Sequence, residues 1–231
     1  MRPGSIIMGD SAASADQPRQ LSFDWLAPHP ARGNNRQKLS KLLLMTKPPS
    51  ALSEKIFRDA QRHAQGRTTR TAYPAELLHV SLLCIGAFQT RPDRLIARLK
   101  TVLQDFSAHP IPMTMDTAAH FGNRKSLALK SASAIPEMTC LTQMLQTRLR
   151  SHNLTNIRQS TFTPHVTIIY GCGEIEPMHV SHAYCWTVSD FELVFSHYGE
   201  TLHEQCGRWR LQADSNDYRA IAEQMKFPQW Q

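Results

Sequence analysis

The chain has 231 residues, 41% of them apolar and 19% charged, enough to bury a full core as one domain or as two small lobes. No apolar run approaches the length of a membrane span, about 18 residues. Ser5-Ile6-Ile7-Met8, followed closely by Asp10, is too short for the apolar part of a secretory leader, so a cytoplasmic protein with no membrane partner is expected. The formal charge of +7 is unevenly placed: residues 1–72 hold 12 Lys/Arg against 5 Asp/Glu, and residues 73–231 hold 14 of each. A polyanion such as RNA would be drawn to the first part by salt-sensitive, nonspecific attraction. A solvated loop and a basic tail would carry the same charge with no ligand. The cysteines Cys84, Cys140, Cys172, Cys185 and Cys206 are odd in number and widely spaced, without a C-x-x-C, which argues against a disulfide scaffold or a structural zinc site.

Residues 1–37 are polar and broken by Gly, Pro and Ala, and are expected to form a mobile basic arm. Residues 41–45, Lys-Leu-Leu-Leu-Met, read as a strand. Residues 50–63 read as a helix with Leu52, Ile56 and Ala60 on one face. Arg62, His63, Arg67 and Arg70 then cluster in an expected loop before a strand at 77–86. Residues 91–106 form an amphipathic helix with Leu95, Ile96, Leu99, Val102, Leu103 and Phe106 at helical spacing. Residues 111–117 alternate as a strand, Phe121-Gly122-Asn123-Arg124 signals a turn, and 126–130 is the returning strand. A second long helix spans 135–150. Strands follow near 162–171, 183–188, 190–196 and 208–212, and 217–225 reads as a short terminal helix.

Two of these strands carry the same pattern. His79-Val80-Ser81 opens the run Leu82-Leu83-Cys84-Ile85-Gly86, and His165-Val166-Thr167 opens Ile168-Ile169-Tyr170-Gly171. Side chains alternate across a strand, so the histidine and the hydroxyl of each copy share one face, roughly 6–7 Å apart, and the valine points the other way. The tripeptide alone is not specific: a third copy, His179-Val180-Ser181, lacks the apolar run and the closing glycine and reads as a loop or strand start. Two such strands side by side would form a four-point site, with two imidazoles for proton transfer and two hydroxyls for an anionic oxygen. There is no H-E-x-x-H, and neither tripeptide carries a carboxylate, so metal catalysis is not expected.

The doubled motif is similar to that of the two-histidine (2H) phosphoesterase superfamily, and within it to the 2′-5′ RNA ligase / RNA 2′,3′-cyclic phosphodiesterase group. The resemblance covers about residues 39–212. It includes the opening strand and helix, the lead-in Pro74-Ala75-Glu76-Leu77-Leu78, and the closing segments Phe191-Glu192-Leu193-Val194-Phe195-Ser196 and Arg208-Trp209-Arg210-Leu211. It implies an α+β fold of two pseudo-symmetric lobes, each an antiparallel sheet with helices on its outer face, and an active cleft between them. The arm at 1–37 would precede a bilobal domain at 38–213, and a tail at 214–231 would follow. The implied activity is a metal-independent phosphodiesterase that hydrolyses or reversibly forms RNA 2′,3′-cyclic phosphate or 2′-5′ linkages, with no cofactor, acting as a monomer on RNA or a nucleotide. By the resemblance, His165 is the base, His79 the acid, and Ser81 and Thr167 bind the phosphate oxygens.

Two positions depart from the pattern. Tyr170 stands where the group usually has an arginine, and Cys84 where it often has an aromatic residue. The candidates to supply the missing cation are Arg124, Lys130, Arg158 and the Arg67/Arg70 loop. Tyr170 could hydrogen-bond a phosphate, although packing is the favoured role. His197, Tyr198 and His203, after a closing strand, could line the cleft, although the surface is the favoured placement. The substrate could therefore instead be a 2′-5′ oligoadenylate or a small cyclic phosphate of a nucleotide or sugar. A non-catalytic RNA-binding protein is the alternative of a different class.

Overall fold

The computed structural model describes residues 39–121, 126–154, 162–172 and 175–212. The expected arm at 1–37, the helix at 217–225, and the candidate cations Arg124 and Arg158 lie outside the described residues. In chain order the elements are β1 (Ser40–Thr46), α1 (Ser50–Ala64), a single 3₁₀ turn (Ala75–Leu77), β2 (Val80–Phe88), α2 (Asp93–Leu103), β3 (Ile111–Met115), β4 (Thr117–Phe121), β5 (Ser126–Lys130), α3 (Pro136–Ser151), β6 (His165–Tyr170), β7 (Tyr184–Val188), β8 (Asp190–His197) and β9 (Leu202–Arg210).

The α+β plan with antiparallel, sheet-dominated lobes is the expected one. Seven strands run in the order β4-β5-β6-β2-β1-β8-β9, and β3 pairs with β7 in a separate ribbon. The two lobes are continuous. One contributes β4-β5-β6 and the other β2-β1-β8-β9, and they join through the single antiparallel pair Val80↔Val166. Helices cover the face on which those valines lie. The helix that follows β1 packs against β6 of the other lobe, and α3 packs against β2, so each helix clamps the seam rather than its own lobe alone. The helical spacing read from the sequence is the buried stripe: Ile56 and Ala60 in α1, Ile96, Leu99 and Leu103 in α2, and Met138, Leu141, Leu145 and Leu149 in α3. No helix among the described residues is long and apolar enough to cross a membrane.

Strand β1 is buried on both sides, which explains its unbroken apolar run. Leu42 and Leu44 join the main core under the helices, whereas Leu43 and Met45 pack with Val194 and Cys84 on the opposite face. That second, smaller cluster is the apolar floor beside the paired histidines.

Several boundaries differ from the sequence-based expectation. The run at 111–117 divides at Asp116, whose carboxylate accepts hydrogen bonds from the Thr117 hydroxyl and the Ala132 amide, so the chain passes there from the ribbon to the large sheet. The strand expected at 208–212 is far longer and starts at Leu202. Its first half, Leu202-His203-Glu204-Gln205, shows no apolar alternation because it is the outer edge of the sheet, where one side of the backbone faces solvent. The helix expected over 91–106 is shorter: Pro92 precedes its first turn and Phe106 lies beyond its end. Of the basic cluster expected in one loop, Arg62 and His63 belong to the last turn of α1. His179-Val180-Ser181 forms no strand.

Phe191 on β8 anchors this arrangement. It is fully buried, stacked on Trp209 at 5.3 Å and edge-to-face with Phe106 at 5.5 Å. Replacing it with alanine removes both ring contacts and leaves a cavity. The expected cost is about 3–5 kcal/mol, read as a lower midpoint in guanidinium unfolding; an unchanged midpoint would show that β8 is not anchored by this packing.

Candidate active site

The pair Val80↔Val166 determines the geometry of the site. In an antiparallel ladder the neighbours of a pair also face each other, so His79 lies opposite Thr167 and Ser81 opposite His165. Both valines are fully buried, which sends all four flanking side chains to the other face. The result is a square with the histidines on one diagonal and the hydroxyls on the other, each diagonal spanning roughly 7–8 Å between Cβ atoms. The local twofold of an antiparallel pair passes between the two valines. His79, Ser81, His165 and Thr167 are thus brought together, although 86 positions separate the two copies in the chain.

The backbone before each motif holds the rings in the same tautomer. His79 Nδ1 lies 2.7 Å from the Leu77 carbonyl and His165 Nδ1 lies 2.8 Å from the Thr163 carbonyl. A carbonyl only accepts, so Nδ1 carries the hydrogen in both rings, and Nε2 is left as the atom able to take or give a proton. The turn at Ala75–Leu77 and the proline at 164 shape the two approaches.

The two histidines are unequally buried. His79 is 9% exposed, and burial pushes its pKa down to about 4. The Leu77 hydrogen bond opposes this, and the charges of His165, Lys47 and Lys41 add to it. Burial also lowers the pKa of His165, with the Thr163 hydrogen bond opposing. Phe121 stacks on the His165 ring at 3.9 Å, and His203 meets the His79 ring edge-on at 5.2 Å.

Of the other predicted residues, Lys130 pairs with His165 across β5 and β6 and shares its face. Tyr170 is half-buried. Its hydroxyl shares a hydrogen bond with that of Thr167, burial pushes its pKa up to about 12, and Tyr73 lies edge-on against its ring at 4.9 Å. Tyr170 therefore both packs and carries a polar atom to the site. Arg70 lines the cleft, but Arg67 does not; Arg67 donates to the His63 carbonyl on the exposed end of α1. Cys84 belongs to the apolar floor. His203, His197 and Tyr198 line the cleft rather than standing apart from it. Phe121 is not legible as a site residue, because it reads as the start of a turn; His203 is legible only as the less favoured of two placements, because it lies in a polar edge strand.

A cavity of about 380 Å³ opens on the His79 side of the square, bounded by Lys41, Arg70, Tyr73, His79, Tyr170 and His203, with His165 outside its lining.

The family model of the 2′-5′ RNA ligase superfamily matches residues 48–194, a span that contains both motifs. The chain belongs to this superfamily of 2H phosphoesterases. No curated protein matches its sequence significantly. Among solved structures, E. coli LigT complexed with 3′-AMP superposes with a TM-score of 0.63 at 18% identity, covering 76% of this chain and 99% of LigT. A phosphoesterase superposes with a TM-score of 0.62 at 19% identity, covering 75% and 99%. The Thermus thermophilus protein TT0787 gives 0.61 at 16%, covering 75% and 99%. At these identities the structural likeness establishes the shared 2H fold.

The burial of His79 has a direct readout. Its folded pKa of about 4 lies below the ordinary imidazole value of about 6.5. The unfolded chain therefore binds more protons between those values, and this histidine's contribution to stability is fully present above about 6.5 and is lost as pH falls toward 4. Histidine-resolved NMR titration is expected to show His79 neutral at pH 7, protonated on Nδ1, and titrating well below a free imidazole. A titration near 6.5 would contradict the burial argument.

Proposed function

We propose that this protein is a metal-independent phosphodiesterase that hydrolyses, or reversibly forms, RNA 2′,3′-cyclic phosphate or 2′-5′ linkages by two-histidine acid/base catalysis. The observation that carries this reading is the square of two Nδ1-tethered histidines and two hydroxyls on one face of the seam. A cyclic phosphate seated on it would have an imidazole on either side, as in-line displacement requires. One Nε2 takes a proton from water as the water oxygen bonds to phosphorus. The opposite ring gives its proton to the departing ribose oxygen as the P–O bond breaks, leaving a phosphomonoester. The Ser81 and Thr167 hydroxyls donate to the non-bridging oxygens, whose charge grows in the transition state. The Tyr170 hydroxyl is bonded to that of Thr167; one of their two hydrogens is held in that bond, and with the phenol donating to Thr167 the threonine hydrogen is left for the phosphate, with no cation at the position where the family has an arginine.

The unequal burial favours a division of labour opposite to the one the resemblance implies. His79, with the pKa held at about 4, is the ring that stays neutral and serves as base. His165, half-buried, is the ring more easily protonated and serves as acid. E. coli LigT has been crystallised with ATP, 3′-AMP and NADP+, which supports a nucleotide as the group recognised here.

The test is turnover of an RNA oligonucleotide ending in a 2′,3′-cyclic phosphate, with EDTA present. His79→Ala and His165→Ala should each lose about 10²–10⁴-fold in rate. The pH profile of kcat/KM should be bell-shaped with its maximum on the acid side of neutrality, since both pKa values are lowered in the free protein. Full activity in either variant, or activity abolished by EDTA and restored by a divalent metal, would overturn the mechanism.

A further inference from the structure

The cavity beside His79 is not used by the chemistry above. Ser81, His165 and Thr167 do not line it, and it shares with the square only His79, with Tyr170 standing between it and Thr167. Its lining contains no Asp or Glu; its charged and titratable members are Lys41, Arg70, His79, His197, His203, Tyr73, Tyr170 and Tyr198. Lys47, whose charge reaches both His79 and His203, pairs with Glu192 at 3.6 Å, and His197 sits between Glu200 and Glu204. No carboxylate pairs with Arg70 among the described residues. Its guanidinium lies over Gly171, where a Cβ would fall 3.1 Å from Nε; at φ +68° this position suits glycine. His203 supplies a separate sign of a missing partner, because its Nδ1 is buried with no hydrogen-bond partner.

The walls differ in character from the floor. Tyr73 and Tyr198 present ring surface, and Tyr198 and Leu202, at the tip of the β8–β9 hairpin, are among the large apolar side chains left exposed. The volume of about 380 Å³ falls within the range of small-molecule sites, about 300–1,000 Å³. It is more space than a cyclic phosphate on the square requires.

We infer that this cavity is a second anion subsite, which takes a 5′-phosphate on the same nucleoside that presents its cyclic phosphate to the histidines, held by Arg70 and Lys41 with the His203 ring. The inference rests on the proposed function and narrows its substrate class to nucleotides bearing a second phosphate. Arg70 supplies planar paired donors and Lys41 a compact cation, while the tyrosines flank the nucleoside between the two phosphates. An anion placed there also offsets the positive charge of Lys41, which disfavours protonation of His79, so filling the subsite raises the proton affinity of His79. Two sources share this chemistry: the last internucleotide phosphate of an RNA 3′ end, or the 5′-phosphate of a free nucleotide.

Three substrates test it: adenosine 2′,3′-cyclic phosphate, the same compound with a 5′-phosphate, and a dinucleotide ending in the cyclic phosphate. The 5′-phosphate is expected to raise kcat/KM by about tenfold or more, chiefly through KM. Arg70→Ala and Lys41→Met should each collapse that ratio, while Arg67→Ala leaves the ratio unchanged. A gain with both the 5′-phosphate and the dinucleotide supports the subsite with an RNA end as occupant; a gain with the 5′-phosphate alone supports it with a free nucleotide. A gain confined to the dinucleotide, or equal kcat/KM for all three, overturns it and leaves the two-histidine mechanism standing. If none is turned over, the proposed activity fails, and the subsite is judged by calorimetry. Adenosine 3′,5′-bisphosphate binding about tenfold more tightly than 3′-AMP, with the difference lost in Arg70→Ala, sustains it. Equal affinities overturn it.

Discussion

The candidate site depends on one backbone pairing. Val80 and Val166 face each other across the seam between the lobes, and the two-residue period of a strand does the rest. With both valines buried under the helices, a histidine and a hydroxyl on each strand are obliged to emerge on the opposite face. A one-residue slip of either strand would turn its histidine and hydroxyl into the core and bring its valine into the cleft. The cost of burying an imidazole and a hydroxyl without partners opposes that slip. The helices guard the register from behind, since α1 packs on β6 and α3 on β2.

The apolar floor has an electrostatic consequence. Leu43, Met45 and Val194 lie on the same face as the histidines, and the β8–β9 hairpin brings His203 against His79. The His79 ring is thereby buried, and its neutral form is favoured. On the other side Phe121 stacks on His165 and Lys130 flanks it. The two halves are related in backbone but not in surroundings, and that asymmetry is what could divide proton acceptor from proton donor.

Tyr170 shows how a departure from a family pattern is absorbed. A cation at that position would point toward the same ground as Thr167. Here a phenol takes the place, bonded to Thr167 and packed against Tyr73, and Arg70 and Lys41 are the cations in the lining of the adjoining cavity. Arg70 reaches its position because the loop before the first motif docks on β6: Ala72 bridges to Ile169, and the Tyr73 amide donates to the Ile168 carbonyl at 2.7 Å.

The sequence by itself determined the elements with strong apolar periodicity and the members of the square. Helical spacing at Ile96, Leu99 and Leu103 and the repeated His-Val-hydroxyl triplets are local patterns, and a local pattern is complete within a few residues of chain. It also sufficed to mark Arg70, Lys130 and Tyr170 as neighbours worth considering, because each lies within a short reach of a motif strand or its partner. Only the tertiary structure decided which of them meets the site, that Arg67 turns away, and that His203 and Phe121 join it. These two sit in segments whose own residues carry no apolar rhythm, and their positions follow from strand pairings across the sheet. Such pairings bring together residues far apart in the chain, and no short window of sequence contains both partners.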